Sequence, residues 1–403
     1  LINNYLTKIS LKKIVLLRNK ERSLQRFHPW VFSGAVYKKD PTLKDGDIVE
    51  VYDSENRYLA TGHYNNNSIC VRIFSFEQVA PDYLFWRRKF ENAIQYRKTL
   101  GLIWNPETNI FRLINGEGDL FPGLIVDWFN GNVVIQFHSA GMCLLQETII
   151  QILLELFPGQ IRSIYNKSAS TLLDQANCTP QEGLLYGTLE DVLVHENGIP
   201  FYVDIENGQK TGFFIDQRDN RQLVCDFSRN KKVLNLFCYT GGFSLYALDG
   251  GAELVHSVDI SKRAIEWTER NISLSVHQSV HQSYAENVFD FLEQMEDHYY
   301  DLIILDPPAF AKHHKAKEQG IKGYRNINRK AMEKLKPGGF LFTFSCSQAI
   351  SKDEFQTIVF SAAALENKAV RVVKQLHQSL DHPVNIFHPE GEYLKGLMLE
   401  VNN

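Results

Sequence analysis

The sequence predicts an α/β protein in three parts, ending in an open, mainly parallel sheet of the nucleotide-binding kind. Three observations predict it. The 403 residues exceed one ordinary domain. Short, closely spaced strand patterns fill residues 1–78, and from about residue 190 apolar strands alternate with helical stretches. Hydrophobic residues make up 44% of the chain and charged residues 22%, the balance of a globular protein with an ample core.

Residues 1–78 read as a small, partly open β-barrel. Residues 13–18 alternate, 46–52 run from a turn into a strand, and strands at 58–62 and 69–74 follow between Gly, Asn and Asp breaks. Residues 79–190 read as a compact α+β middle domain. A helix over 82–100 places Leu84, Phe85, Ala93, Ile94 and Tyr96 near helical spacing. Strands follow at 111–115, 124–128 and 133–137, the last two joined at Asn130-Gly131. An amphipathic helix over 144–157 stops at Pro158-Gly159, before a strand at 161–166. Residues 191–403 hold the parallel sheet: strands at 233–237, 254–259, 302–306 and 340–344, with helices at 244–248, 262–275, 287–294 and 326–335. Ligands of such a sheet bind at the carboxyl ends of its strands.

The net charge of -4 conceals two basic regions. Residues 1–40 carry nine Lys or Arg against Glu21 and Asp40, and a second run from Lys312 to Lys336 carries nine against Glu318 and Glu333. Local positive fields concentrate polyanions by counterion release even on an acidic protein. A single such run is more often a solvated face; two, one of them beside a catalytic motif, point to nucleic acid. The six cysteines show no CxxC or zinc-ligand spacing, and the thirteen histidines no HExxH, so no metal is expected and a reducing, cytoplasmic compartment is. No stretch is long enough to span a membrane. Residues 1–20 lack a signal-peptide core, and the sequence begins with Leu1 rather than Met.

The chemistry gathers at strand ends. In Phe237-Cys238-Tyr239-Thr240-Gly241-Gly242-Phe243-Ser244, a glycine turn lets backbone approach a ligand at a helix start. It is not GxGxxG, which disfavours a dinucleotide. Asp259 closes the next strand, where an acid can accept both hydroxyls of a ribose. These two features alone stand about even with a plain tight turn and a helix-capping Asp. Asp306-Pro307-Pro308-Ala309-Phe310 is more telling. The prolines keep the chain extended after a buried strand, Asp306 projects at its end toward a flipped base, and Phe310 offers a stacking face. Cys346, in Phe344-Ser345-Cys346-Ser347 at the end of the following strand, is expected beside Asp306. A thiolate there can add to C6 of a pyrimidine and make C5 nucleophilic, helped by the lysine cluster nearby. Lone cysteines are usually small packing residues, and Cys238 is read that way.

With these motifs in hand, the chain resembles the PUA-domain-containing class I rRNA cytosine-C5 methyltransferases of the bacterial large subunit. His28-Pro29-Trp30-Val31-Phe32-Ser33-Gly34, Gly208-Gln209-Lys210-Thr211-Gly212-Phe213-Phe214-Ile215-Asp216-Gln217-Arg218, the Tyr239-Thr240-Gly241 turn, Asp306-Pro307-Pro308 and Ser345-Cys346-Ser347 match in order. Asp381-His382-Pro383 and Pro389-Glu390-Gly391-Glu392-Tyr393-Leu394-Lys395-Gly396 match toward the carboxyl end. The resemblance implies a PUA-like barrel, a Rossmann-like methyltransferase domain, S-adenosyl-L-methionine as cofactor and large-subunit ribosomal RNA as partner, and is compatible with a homodimer. It implies cofactor contacts from Gln209, Lys210, Gly212, Phe213, Asp216, Arg218, Tyr239, Gly241, Asp259, Asn287 (where the family has Asp) and Asp306. It implies RNA contacts from Arg22, Arg26, His28, Trp30, Phe310, Lys312, Lys322 and Arg325. Asp306 would hold the base edge and Cys346 would be the nucleophile. Ala309 stands where a related group carries a second cysteine, so the base that removes the C5 proton is sought in Asp381 or His382. The competing readings are methylation of a guanine nitrogen, which needs no cysteine, an RNA-binding assembly factor without affinity for the cofactor, and a small-molecule methyltransferase, which would leave the basic N-terminal domain idle.

Overall fold

The computed structural model describes residues 11–172, 181–311 and 314–402; Lys312 lies outside them. The N-terminal part is one six-stranded sheet of β1 (Lys12–Leu16), β2 (Trp30–Phe32), β3 (Val36–Lys39), β4 (Ile48–Tyr52), β5 (Tyr58–Tyr64) and β6 (Ile69–Ser75), with a short helix α1 (Arg22–Gln25) before β2. The order is β2-β6-β5-β4-β1-β3, and β2 and β3 do not pair with each other, so the barrel is partly open. The alternation in β1 turns Ile14 and Leu16 inward, where they join Val31, Val49, Val71 and Ile73 in a separate small core.

The middle part begins with α2 (Tyr83–Thr99), started by the Asp82 carboxylate, which accepts from the Phe85 N–H. Its sheet comprises β7 (Ile110–Asn115), β8 (Leu124–Phe129), β9 (Asn132–Phe137), β10 (Ser163–Asn166) and β11 (Gly183–Gly187), in the order β11-β10-β9-β8-β7. Asn130 and Gly131 both take positive φ, as a two-residue hairpin turn requires. The helix expected over 144–157 is α4 (Gln146–Leu156), preceded by a single turn, α3 (Ala140–Cys143). Cys143 is disulfide-bonded, whereas Cys70, Cys225, Cys238 and Cys346 are free.

A hairpin of β12 (Val192–Glu196) and β13 (Ile199–Val203) leads into the last part. Then follow α5 (Arg218–Phe227), β14 (Lys232–Leu236), α6 (Gly242–Asp249), β15 (Leu254–Asp259), α7 (Lys262–Ile272), β16 (His281–Ala285), α8 (Val288–Gln294), β17 (Tyr300–Leu305), α9 (Lys317–Lys334), β18 (Leu335–Ser345), α10 (Lys352–Leu365), β19 (Ala369–Leu376) and β20 (Lys395–Asn402). The sheet order is β16-β15-β14-β17-β18-β20-β19; the first five strands are parallel and β20 runs antiparallel between β18 and β19. Val233, Leu234 and Leu236 of β14 and Leu302 to Leu305 of β17 are wholly buried, as strands covered on both faces must be. Strand order reverses between β14 and β17, which opens a crevice at their carboxyl ends. Ile110, Phe129 and Val134 of the middle sheet share a core with Val233, Leu302 and Phe344, so the two parts are packed as one body there.

The second basic run proves largely neutralised. Lys317 pairs with Glu354 at 2.6 Å, Arg329 with Glu366 at 2.7 Å, Lys330 with Glu293 at 2.7 Å, Lys334 with Asp297 at 2.6 Å and Lys336 with Asp301 at 3.0 Å. The acids come from other elements, so a count along the run could not see them.

Candidate active site

The turn after β14 is held open by unusual backbone. Phe237 and Tyr239 adopt left-handed φ of 58° and 49°, and Gly241 follows at 80°. A Cβ on Gly241 would also stand 2.9 Å from Thr268 Cγ2, so this position needs glycine on two counts. Asp259, at the end of β15, accepts from Tyr239 N at 3.1 Å and from Ser261 N at 2.9 Å, which holds its carboxylate beside the turn.

The segment 208–218, which composition would make a hairpin, is instead a loop wound over that turn and then a 3-10 turn, Ile215–Gln217, running into α5. The Tyr239 hydroxyl accepts from Gln209 N at 2.8 Å and donates to Gly212 O at 3.0 Å. From the end of β10, Lys167 Nζ reaches Ile205 O and Gly208 O, both at 2.5 Å. Gly212 takes φ of 123°, a conformation closed to other residues. Asn287 is exposed at the end of β16, and its Oδ1 caps α8 by accepting from Phe289 N. Thr240 Oγ1 is buried without a partner beside the glycine turn. A glycine turn, an oriented strand-end acid, a covering loop and an unsatisfied hydroxyl fit a nucleoside-bearing cofactor.

Next to it lies a cleft of about 780 Å³ that draws on all three parts of the chain. Trp30 and Arg72 come from the barrel, Glu117 and His138 from the middle part, and Lys210, Asp216, Ala309, Cys346, His382 and Tyr393 from the last. A second cavity, about 330 Å³, is lined by Trp104, Trp128, Phe157 and several amides but by no acid or thiol.

Leu305 pairs with Thr343 in the parallel register of β17 and β18, so the residues that follow, Asp306 and Cys346, leave the sheet at one edge. Asp306 is half-buried and its Oδ2 accepts from Gln217 Nε2 at 3.0 Å. Burial, and then the Asp216 carboxylate, push its pKa up to about 7. Burial and then Asp306 push the Cys346 thiol up as well, while Lys210 pulls it down. A cation near enough to favour the thiolate is Lys210, whereas Lys317, Lys330 and Lys334 are paired with carboxylates of other elements. Lys395 is a further neighbour. It is buried on β20 opposite Ser345, its ammonium donates to Ser347 O at 2.9 Å, and burial depresses its pKa against the pull of Cys346.

Several expected contacts are arranged differently. Arg218 is buried, donates to Ile110 O and Asp381 Oδ2 at 2.9 Å each, and lies 3.6 Å from Glu196; it ties the loop to the middle sheet instead of facing a ligand. Asp381 is fully buried, accepting from Arg218, Arg112 N, Ser379 Oγ and His382 Nδ1. Burial works against its charge, but Arg218 and His382 hold the carboxyl well below its usual range, too weak a base to take a proton from carbon. His382 lines the cleft with Nδ1 turned to that carboxylate at 3.1 Å. Phe310 packs against Tyr324 and Phe237, with ring centroids 4.7 and 6.5 Å away, so its ring docks α9 and Ala309 faces the cleft.

At the mouth of the cleft, Trp30 Nε1 donates to Glu117 at 2.8 Å, Arg72 lies over the Trp30 ring, and His28 packs edge-on to the same ring. Arg22, Arg26 and Lys322 are exposed and Arg325 is half-buried. Tyr393, Lys395 and Gln217 were each within matched motifs yet carried no predicted role; only the folded chain brings them to Asp216, Cys346 and Asp306.

A Rossmann-like sheet with a strand-end acid, joined to a PUA-like barrel across a shared cleft, defines a nucleoside-cofactor transferase class of fold. The family model described as S-adenosylmethionine-dependent methyltransferase matches residues 112–391, and that of the PUA-like domain matches residues 14–76. The chain belongs to the S-adenosylmethionine-dependent methyltransferases. It is 38% identical over 397 residues to ribosomal RNA large subunit methyltransferase I of Shewanella denitrificans, covering 96% of this chain and 99% of the relative. It is also 38% identical over 393 residues to the enzyme of that name from Aeromonas salmonicida, at 96% and 98% coverage. Among solved structures, a putative methyltransferase of Streptococcus mutans superposes with a TM-score of 0.81 at 24% identity, over 96% of this chain and 99% of that one. A putative methyltransferase complexed with SAH gives 0.82 at 23% identity over the same shares. Among the described residues no helix is long and apolar enough to cross a membrane, and no group of His, Cys, Asp and Glu could hold a metal.

Proposed function

We propose that the enzyme methylates carbon 5 of a cytosine in large-subunit ribosomal RNA, through a covalent bond between Cys346 Sγ and C6 of the base. The observation that carries the reading is that the thiol leaves the same sheet edge as the Asp306 carboxyl and lines a cleft shared with a PUA-like barrel. The full-length relatives named for large-subunit rRNA support the substrate, and an rRNA substrate assigns the enzyme to the cytoplasm.

The 208–212 loop, the Tyr239–Gly241 turn and Asp259 would hold S-adenosylmethionine, which would supply an electrophilic methyl. The Cys346 thiolate, favoured by Lys210 and Lys395, adds to C6, and the C5=C6 electron pair moves to C5. Asp306, with a pKa near 7, can carry a proton to the base edge as charge builds on the ring. Once C5 has taken the methyl, the C5 proton goes to His382 Nε2, and the returning electron pair expels Sγ and restores the ring. Asp381 orients His382 in this scheme and is not itself the base. Trp30, His28, Arg22 and Arg26 would guide the RNA, with Lys322 and Arg325 as further cations.

Cys346→Ala tests the reading. It should abolish 5-methylcytosine, measured by mass spectrometry of rRNA nucleosides from cells carrying the variant as sole copy. A methylated guanine that depends on the gene and survives Cys346→Ala would replace the proposal with the nitrogen-methylating one.

A further inference from the structure

We propose that Asp216 reads the exocyclic amine of the target base and so makes the enzyme select cytosine over uracil. The inference rests on the cytosine reading above and names the residue that enforces it. Asp216 sits on the 3-10 turn Ile215–Gln217, lines the cleft that holds Cys346, and is only 7% exposed. One carboxylate oxygen, Oδ2, accepts from the Tyr393 hydroxyl at 2.6 Å. The other, Oδ1, is buried and has no hydrogen-bond partner. Buried polar atoms are nearly always satisfied, so an orphan lining a substrate cleft marks a place where a ligand completes the bond.

The missing partner must be a donor. Burial favours protonation of Asp216, but Lys210, then His382, the Tyr393 hydroxyl and Arg112, outweigh it and keep the carboxyl ionised. An ionised carboxylate only accepts. Cytosine presents the N4 amine at the position where uracil presents the O4 acceptor, and pairing of an acidic side chain with that amine is a general mode of cytosine readout. Asp216 lines the same cleft as Cys346, and its charge is near enough to Asp306 and Cys346 to shift both. Uracil there would set O4 against an anion and leave Oδ1 unsatisfied, two penalties that together reject it.

The test uses the full chain, S-adenosylmethionine and two rRNA fragments spanning the mapped nucleotide, one with 5-fluorocytidine and one with 5-fluorouridine at that position. Sγ bonds to C6 and C5 takes the methyl, but C5 then carries fluorine where a proton would leave, so the adduct persists and is read on a denaturing gel. The wild type should trap fluorocytidine at least about 100-fold faster than fluorouridine. Asp216→Asn keeps the shape and an acceptor for Tyr393 but can turn an amide N–H to O4, so the ratio should fall below about 10-fold. An unchanged ratio in the variant, or a wild type that traps both bases equally, overturns the assignment. So does a variant whose sole defect is lost S-adenosylmethionine affinity in calorimetry, which would give Oδ1 to the cofactor. Absence of any adduct from the wild type would instead remove the covalent reading itself.

Discussion

Replacing Asp306 by Asn should make the fold more stable at alkaline pH while removing activity. The carboxyl ionises near 3.8 in solvent and near 7 in the fold. Between those values the folded chain holds a proton that the unfolded chain has released, so the stability this group contributes falls as pH rises from about 4 to about 7 and is level above that. Each pKa unit is worth about 1.4 kcal/mol, which makes the full cost of the ionised carboxylate about 4 kcal/mol; partial exposure to solvent reduces it to roughly 2–3 kcal/mol. Asparagine keeps an oxygen for Gln217 Nε2 and is neutral beside Asp216. Urea unfolding followed by tryptophan fluorescence at pH 5 and pH 8 measures the difference. The advantage of Asp306→Asn over the wild type should be larger at pH 8 by roughly 1–2 kcal/mol, the part of the cost that accrues between those pH values. An advantage independent of pH, or a variant less stable at pH 8, would refute the placement of a strained carboxylate at this strand end.

Asp381→Ala should cost about 3–5 kcal/mol, because it leaves the buried Arg218 guanidinium with Glu196 alone at 3.6 Å; denaturant titration showing less than about 1 kcal/mol would mean the pair is not buried as described. His382→Ala should let the thiol add and the methyl transfer but stall release, so a covalent protein–RNA species accumulates on denaturing gels with unmodified RNA. Normal turnover in that variant would exclude His382 as the proton acceptor. Asp259→Ala should weaken S-adenosylmethionine binding at least about tenfold in calorimetry, a loss of one charge-assisted hydrogen bond's worth, and cost about 1–2 kcal/mol in unfolding because the Tyr239 and Ser261 N–H groups lose their acceptor; equal affinity would move the ribose elsewhere.

Much of the site could be read from residues alone because its signals are local. The glycine turn, Asp259, Asp306 and Cys346 each terminate a strand whose apolar run is visible in sequence, and parallel strands bring their carboxyl ends to one edge whatever the intervening helices do. What misled was also local. The basic run of α9 looked unpaired along its whole length because the carboxylates that neutralise Lys317, Arg329, Lys330 and Lys334 belong to α8, α10 and neighbouring loops. Phe310 looked like a stacking platform because nothing in its own motif reveals Tyr324, fourteen positions on, packed against its ring.

The largely parallel sheet, the cofactor class and the residues that end its strands were thus determined by the sequence itself, through hydrophobic period and the motifs that close each run. Tertiary structure alone decided the electrostatics of the cleft: which cation is near enough to favour the thiolate, which of Asp216, Asp306 and Asp381 stays ionised, and where an oxygen is left without a donor. The physical reason is that charge interactions and desolvation depend on distance in space and on what else is buried there. Arg218 meets Asp381 across 163 residues, and Tyr393 meets Asp216 across 177.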